Sequence, residues 1–178
     1  MPDVWDEMNE KGSGAEREAR REQAAAEADA HQLRLASRSL TDVAWEAMQH
    51  GDRVRLSWSG GEATGIPSAA ANDLVVIPTD DGAKAVNTSV LSTIEVTERA
   101  VTRGSAGDRT VESFVAWSRM IEGRDVRIDL VGSRSVEGTL IAVATDHLLV
   151  RGRHGSEVAL ARSQVAAISV AGDPFLSL

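Results

Sequence analysis

The sequence predicts a mainly β protein that has an N-terminal helical arm and two tandem five-stranded barrels, each preceded by a short helix. The chain of 178 residues is long enough for one ordinary domain or two very small ones. Its later part matches itself when Trp45 is aligned with Trp117, and both matched segments alternate apolar and polar residues as strands do. The region before them is rich in strong helix formers, which predicts the helical arm.

Residues 1–40 form the predicted N-terminal region. The segment Lys11–Gly14 contains two glycines and predicts flexibility, whereas Ala15–Arg38 predicts one continuous helix. The apolar stripe of this helix is mostly alanine, so the helix offers little area to bury. We expect residues 1–14 to be mobile and the helix to dock weakly, to pair with another chain or to stay detached.

The self-match places one unit at residues 41–96 and again at 111–172, with a polar linker at 97–110. Glycines, apolar residues and turn aspartates recur at matching positions. The matches are Gly51 with Gly123, Val54 with Val126, Leu56 with Ile128, Gly60 with Gly132, Gly65 with Gly138, Asp73 with Asp146, Val75 with Leu148, Ile77 with Val150, Gly82 with Gly155, Leu91 with Val165, Ile94 with Ile168 and Val96 with Val170. Chance is a poor explanation for so many matches, and the sequence therefore predicts an internal duplication.

Each unit predicts a helix that precedes its strands. Ser39 followed by Asp42 resembles a capping pair for a helix over 41–50, and Gly51 is placed to end that helix. The second helix is predicted over Val111–Glu122.

Alternating residues after each helix predict five strands, and closing them into a barrel removes the exposed edges of a small flat sheet. Gly138 within a long second strand predicts a bend or a bulge. Trp45 and Trp117 lie on the apolar sides of the two helices, where we expect them to anchor the barrel mouths.

Four segments of the second unit together form one pattern. It has a glycine in the second strand and an aspartate before the third strand. They are Gly123–Leu130, Gly138–Leu140, Asp146–Val150 and Val165–Ile168. This pattern resembles the Sm-like (LSm/Hfq-type) small barrel over residues 111–170 and, through the duplication, more faintly over 41–96. The resemblance implies a helix, five strongly bent strands, ring formation and RNA binding. Of the family's RNA-contact pattern, only Arg162 has a counterpart here.

Composition narrows the function classes. The chain has 27 acidic and 19 basic residues, and a net charge of −8 disfavours a protein that binds nucleic acid or anionic membranes through its overall charge. Aromatic residues make up 3%, which disfavours an aromatic-lined pocket, and the lack of cysteine excludes thiolate chemistry and Cys-type metal sites. Neither a signal peptide nor a membrane span is predicted, so we expect a cytoplasmic protein.

No catalytic, cofactor or metal motif is recognised, and we expect a non-enzymatic protein without a cofactor. His147 and His154 would approach each other as a metal pair, but surface histidines are the favoured interpretation. Asp73 and Asp146 recur at equivalent turns, where aspartate binds nearby backbone N–H groups; acid–base catalysis is the alternative.

The candidate contact surface is an arginine-rich turn of the second unit and its surroundings. It comprises Arg134, Arg151, Arg153, His154 and Arg162. Such a basic edge would meet phosphates or a protein partner. The equivalent turn of the first unit contains Asp80 and Asp81, so unlike units would dock head to tail, within or between chains. An ordinary solvated turn is the remaining alternative.

These features predict a binding or assembly module that has a protein partner or associates with itself. The alternative is an RNA- or DNA-binding regulator, transcriptional or post-transcriptional, that acts through the arginine-rich second unit. We expect no membrane partner, and no small-molecule substrate is identified. Binding to nucleic acid that weakens with salt would distinguish the regulator.

Overall fold

The computed structural model describes residues 4–101 and 111–172, and the chain divides into two compact units, Met1–Arg38 and Ser39–Leu178. The first unit contains one helix, α1 (Val4–Ser37). This helix passes through Gly12 and Gly14, so the flexible segment predicted there is helical instead. Strong helix formers flank both glycines, and a glycine within a helix costs only about 1 kcal/mol relative to alanine. None of the described helices has an apolar stretch long enough to cross a bilayer.

The second unit begins at the cap of helix α2 (Leu40–His50), which moves the predicted boundary back to Ser39. The Ser39 hydroxyl accepts the N–H of Asp42 over 3.1 Å, and the Asp42 carboxylate accepts the N–H of Ser39 over 2.8 Å. Gly51 ends the helix in the left-handed conformation, with φ of 80°. The predicted capping pair and helix end are therefore confirmed.

Helix α3 (Phe114–Met120) begins later than predicted, at the cap residue Ser113. Its Trp117 is fully buried, as expected of an anchor, but Trp45 on α2 is 49% exposed, and its predicted anchoring role is wrong. The reason is the orientation of the helices. When Trp45 is aligned with Trp117, the core-facing positions of α3 lie one residue later than those of α2. A shift of one residue rotates the buried face of a helix by about 100°.

The strands fall into a first half (residues 39–101) and a second half (111–172). The first half contains β1 (Arg53–Trp58), β2 (Gly61–Gly65), β3 (Ala69–Ala71), β4 (Leu74–Thr79), β5 (Gly82–Asn87) and β6 (Leu91–Glu98). The second contains β7 (Asp125–Leu130), β8 (Ser135–Val143), β9 (His147–Arg151), β10 (Glu157–Ala161) and β11 (Val165–Ala171). The predicted second strand of the first half is broken into β2 and β3 around Pro67, which lacks the N–H that a continuous ladder needs. The predicted linker starts later than expected because Thr97 and Glu98 belong to β6; residues 102–110 lie outside the described residues.

The strands form two open antiparallel sheets rather than two separate barrels. The smaller sheet has the order β2-β1-β6, and the larger has the order β10-β9-β8-β7-β11-β5-β4-β3. Within the described residues, neither sheet closes on itself. The larger sheet crosses from one half to the other where β5 pairs with β11, with Lys84 opposite Ser169. Each half thus covers a strand edge of the other half. In two separate barrels, a strand of the same half would have covered each of these edges.

Two hydrophobic cores lie on opposite faces of the larger sheet. In β4, Leu74 and Val76 enter the core that contains Trp117, whereas Val75 and Ile77 enter the core that contains Leu56 and Trp58. β4 is therefore buried on both faces, which accounts for its unbroken apolar run. β11 has the same property, because Val165 and Ile168 belong to the first core while Ala166 and Ala167 belong to the second. Both cores contain residues from both halves.

The long strand β8 pairs with β7 on one side and with β9 on the other. Its register shift lies between Leu140 and Ala142, so the irregularity predicted at Gly138 occurs further along the strand. Gly138 is required for a different reason. A Cβ atom there would lie 2.3 Å from the carbonyl oxygen of Arg151, and only glycine permits this approach of the two strands.

Candidate functional site

A cleft of about 720 Å³ lies between two hairpin turns of the larger sheet. The β9–β10 hairpin contributes Arg151, Gly152 and Arg153 to it, and the β4–β5 hairpin contributes Thr79 and Asp81. Residues of β7, β8 and β11 complete the lining. They are Asp125, Val126, Arg127, Glu137, Gly138, Thr139, Ser169, Val170 and Ala171. The basic turn and the acidic turn that the sequence singled out therefore line one cleft within one chain.

A row of polar side chains crosses the larger sheet, and all of them except Lys84 line this cleft. Lys84 lies opposite Ser169, Ser169 lies opposite Arg127, and Arg127 lies opposite Glu137. The Glu137 carboxylate lies 3.5 Å from Nη1 of Arg127 and 2.9 Å from Nη2 of Arg153. One carboxylate thus holds two guanidinium groups from different elements, and it links the cleft floor to the basic turn.

Arg151 has a partner of its own. Its Nη2 donates to Oε1 of Glu157 over 2.9 Å, and the two residues lie opposite each other where β9 pairs with β10. Asp125 accepts a hydrogen bond from the Thr139 hydroxyl over 2.7 Å. Three carboxylates and three guanidinium groups line the cleft, and three of these six charges, Arg127, Arg153 and Glu137, contact one another. A phosphate would compete with these carboxylates for Arg151 and Arg153, whose side chains are 53% and 80% exposed.

The remaining predicted contact residues lie apart from the cleft lining. Arg134 is exposed in the turn between β7 and β8, and His154 is exposed in the β9–β10 turn. Asp80 is exposed beside Asp81 but does not line the cleft. Arg162 is half-buried in a short 3-10 turn, and its N–H donates to the carbonyl of Asp146. The structure therefore groups Arg151, Arg153 and Asp81 but not the whole predicted set.

The two turn aspartates have different surroundings. The Asp146 carboxylate lies 2.7 Å from Nδ1 of His147, and this hydrogen bond, with the charge of the imidazolium, holds the pKa of Asp146 below its usual value. Asp73 accepts the backbone N–H of Phe114 over 2.8 Å and so fixes the start of α3. Within the described ranges, no group of three or more histidine and carboxylate side chains is placed to hold a metal ion.

The sequence interpretation omitted Glu137 and Glu157, although both decide the electrostatics of the basic turn. A signal for Glu137 was available. The turn at Gly132–Arg134 sets the register of a hairpin, and counting outward from it brings Arg127 opposite Glu137, a favourable cross-strand pair.

A scan against protein-family models finds no match for this chain, and a search of curated proteins finds none either.

Proposed function

We propose that this protein is a non-enzymatic binding or assembly module, built from two copies of a Sm-like unit that associate by strand pairing. The observation that carries the proposal is the pairing of β5 with β11, in which five residue pairs join the first half to the second. A strand edge binds its partner through backbone hydrogen bonds, and the flanking side chains supply specificity. Strand pairing would thus both join the two halves within the chain and bind partners of the module.

The strand registers support an origin by duplication. In the first half, β6 pairs with β1 so that Ile94 lies opposite Leu56; in the second, β11 pairs with β7 so that Ile168 lies opposite Ile128. These are matched positions in the sequence alignment. The neighbouring pairs agree as well, namely Glu95 with Arg55, Ser169 with Arg127, Val96 with Val54 and Val170 with Val126. Two halves that share both residue matches and strand register are expected from one repeated unit.

The cleft supports a partner other than nucleic acid. Arg151 and Arg153 form ion pairs with Glu157 and Glu137, and these carboxylates lower the positive potential of the basic turn. The counterion release that drives nucleic-acid binding requires cations that are available to phosphates. A regulator that acts through this turn would bind phosphates in competition with these two carboxylates.

The experiment combines a nucleic-acid titration with partner capture on the full chain. Wild-type protein and the double variant R151E/R153E are titrated with RNA and with duplex DNA at low and physiological salt. We expect no salt-dependent binding by either protein. Tagged chain from its own host should also retain a protein partner or further copies of itself after nuclease treatment. Binding that weakens with salt and disappears in the double variant would establish the regulator in place of the module.

A further inference from the structure

We propose that the cleft binds an extended peptide segment of a protein partner that carries a basic residue and, about five residues away, an acidic one. The basic residue of the partner would lie at the β4–β5 turn, and its acidic residue would lie at the β9–β10 turn. This inference rests on the proposed function, because it names the class of partner that the module takes at the cleft. The joint between β5 and β11 does not depend on it.

The charges of the cleft differ between its two ends. Arg151 and Arg153 lie at the end formed by the β9–β10 hairpin, whereas Asp81 lies at the end formed by the β4–β5 hairpin, with the exposed Asp80 beside it. Within the described residues, neither aspartate forms an ion pair. A ligand of one sign would therefore be attracted at one end of the cleft and repelled at the other.

The lining as a whole carries no excess of either sign. It has three guanidinium groups and three carboxylates, and on its floor Arg127 lies 3.5 Å from Glu137. A nucleic acid is negative along its whole length, so it would meet Asp81 and Asp125 as well as the arginines. A segment with one charge of each sign meets complementary charge at both ends of the cleft, which favours a dipolar partner.

The arginines of the basic end can bind a second carboxylate without leaving the first. Arg153 contacts Glu137 through Nη2, and Arg151 contacts Glu157 through Nη2. Both arginine side chains are more than half exposed. A guanidinium group has five N–H donors, so each arginine keeps donors that its present partner does not use. An acidic side chain of the peptide would bind these remaining donors.

Strand register sets the distance between the two ends. One row of residues crosses β5, β11, β7, β8 and β9, namely Gly82, Ala171, Asp125, Thr139 and Arg151. The row covers four strand spacings, about 19 Å along the sheet. An extended chain rises about 3.3–3.6 Å per residue, so a basic and an acidic residue five positions apart span the cleft.

The part of the cleft between the charged ends suits a peptide backbone. Ser169 and Thr79 contribute hydroxyl groups to the lining, and within the residues that the structure describes neither hydroxyl has a hydrogen-bond partner. A hydroxyl can donate to a peptide carbonyl and accept from a peptide N–H. The lining residues include no aromatic side chain, so ring stacking does not contribute to recognition. Recognition would depend on hydrogen bonds along the backbone and on charge at the two ends.

Four hexapeptides, acetylated and amidated so that their termini are uncharged, test the proposal on the full chain. Two carry both signs, as Lys-Ser-Ala-Ser-Ala-Glu and as the reversed sequence, because the partner chain can run in either direction. The other two carry lysine at both ends or glutamate at both ends. Each peptide is titrated into the protein while its amide NMR shifts are followed. We expect one mixed peptide to bind about fivefold more tightly than either like-charged peptide, since one exposed ion pair is worth up to about that factor.

Reversing the charge of the acidic end should reverse the preference. The variant D80K/D81K makes both ends of the cleft basic, so it should bind the peptide with two glutamates more tightly than either mixed peptide. Asp81 bonds to Gly172 through its backbone carbonyl, and this bond does not involve the side chain that is changed. The matched control E62K/E98K reverses two exposed carboxylates of the smaller sheet and should keep the wild-type order of affinities.

Equal binding of a like-charged peptide and the mixed peptides by the wild-type chain would overturn the inference. It would also be overturned if no peptide shifted the resonances of the cleft at millimolar concentration, or if D80K/D81K kept the wild-type order. If the peptides fail and the chain shows no salt-dependent binding of nucleic acid, this inference alone is wrong and the module stands. Salt-dependent binding of nucleic acid that R151E/R153E abolishes would instead overturn the proposed function, and this inference with it.

Discussion

The N–H of Gly132 donates a hydrogen bond of 2.8 Å to the carbonyl oxygen of Ser59. This bond joins the turn between β7 and β8 to the turn between β1 and β2, which occupies the matching place in the other half. The halves are therefore connected at these turns as well as along β5 and β11. Substitutions made in one turn or in the other can therefore test whether the two turns are in contact.

Replacing Gly60 with alanine should destabilise the protein more than replacing Gly132. Both glycines have positive φ, of 100° and 89°, so both substitutions strain the backbone by about 1 kcal/mol. A Cβ on Gly60 would in addition lie 2.1 Å from the backbone nitrogen of Ser133, whereas one on Gly132 meets nothing within 4 Å. The extra loss for G60A should be about 1–3 kcal/mol in urea unfolding. Equal losses would show that the turns are not in close contact.

The two aligned tryptophans should differ in their effect on stability. Trp117 is fully buried in the larger core, so W117A should cost about 3–5 kcal/mol. Trp45 is 49% exposed, and W45A should cost about 1 kcal/mol or less. Chemical denaturation of both variants measures the difference. A loss for W45A as large as that for W117A would indicate that another chain or segment covers Trp45.

Removing the imidazole next to Asp146 should raise the pKa of that carboxyl. The His147 hydrogen bond and charge lower the pKa of Asp146 in the folded protein, so H147L should return it toward the usual value in a carboxyl NMR titration. Because the folded pKa is the lower one, the stabilisation exists above the unfolded pKa and is lost as the pH falls through the folded pKa. H154L alters an exposed histidine away from Asp146 and is the control. An unchanged titration in H147L would exclude the pairing.

Freeing the paired arginines should create an affinity for polyanions. E137Q removes the carboxylate that Arg153 contacts and one of the two carboxylates that Arg127 contacts, the other being Asp129, so both guanidinium groups become more available at the cleft. E62Q removes the same charge from an exposed position on β2 and serves as the control. We expect E137Q to elute from heparin at higher salt than E62Q or the wild-type protein. Identical elution of the two variants would mean that Glu137 does not mask these arginines.

Deletion of residues 1–38 should leave a folded protein with a cooperative unfolding transition. Both cores draw their residues from Ala44 to Val170, and Ser39 keeps the N-terminal cap of α2. Circular dichroism during urea denaturation compares the truncated and full chains. Loss of the cooperative transition in the truncated chain would place α1 within the folding unit.

Features set by nearby residues were predictable from the sequence. The Ser39–Asp42 pair and Gly51 define α2 because capping depends on local hydrogen bonds. The anchoring role predicted for Trp45 was wrong because the sequence of a short helix leaves the position of its buried face uncertain by one residue. The two halves share the larger sheet, and this arrangement depends on contacts between residues far apart in the sequence. Its local indication was the unbroken apolar run Leu74–Ile77, which indicates burial on both faces. Arg151 and Arg153 were identified, but their carboxylate partners emerge only from strand register.

The position of β11 in the chain sets an order for folding during synthesis. This strand completes the larger sheet beside β5, yet Lys84 and its neighbour Ser169 are far apart in the sequence. When the first half leaves the ribosome, the edge of β5 has no partner, and the core residue Val86 lacks the cover of Ala167. The nascent chain must therefore keep this edge from other strands until the second half is made, because exposed edges in partly synthesised chains promote aggregation. Slowing translation between the halves should lengthen that vulnerable interval.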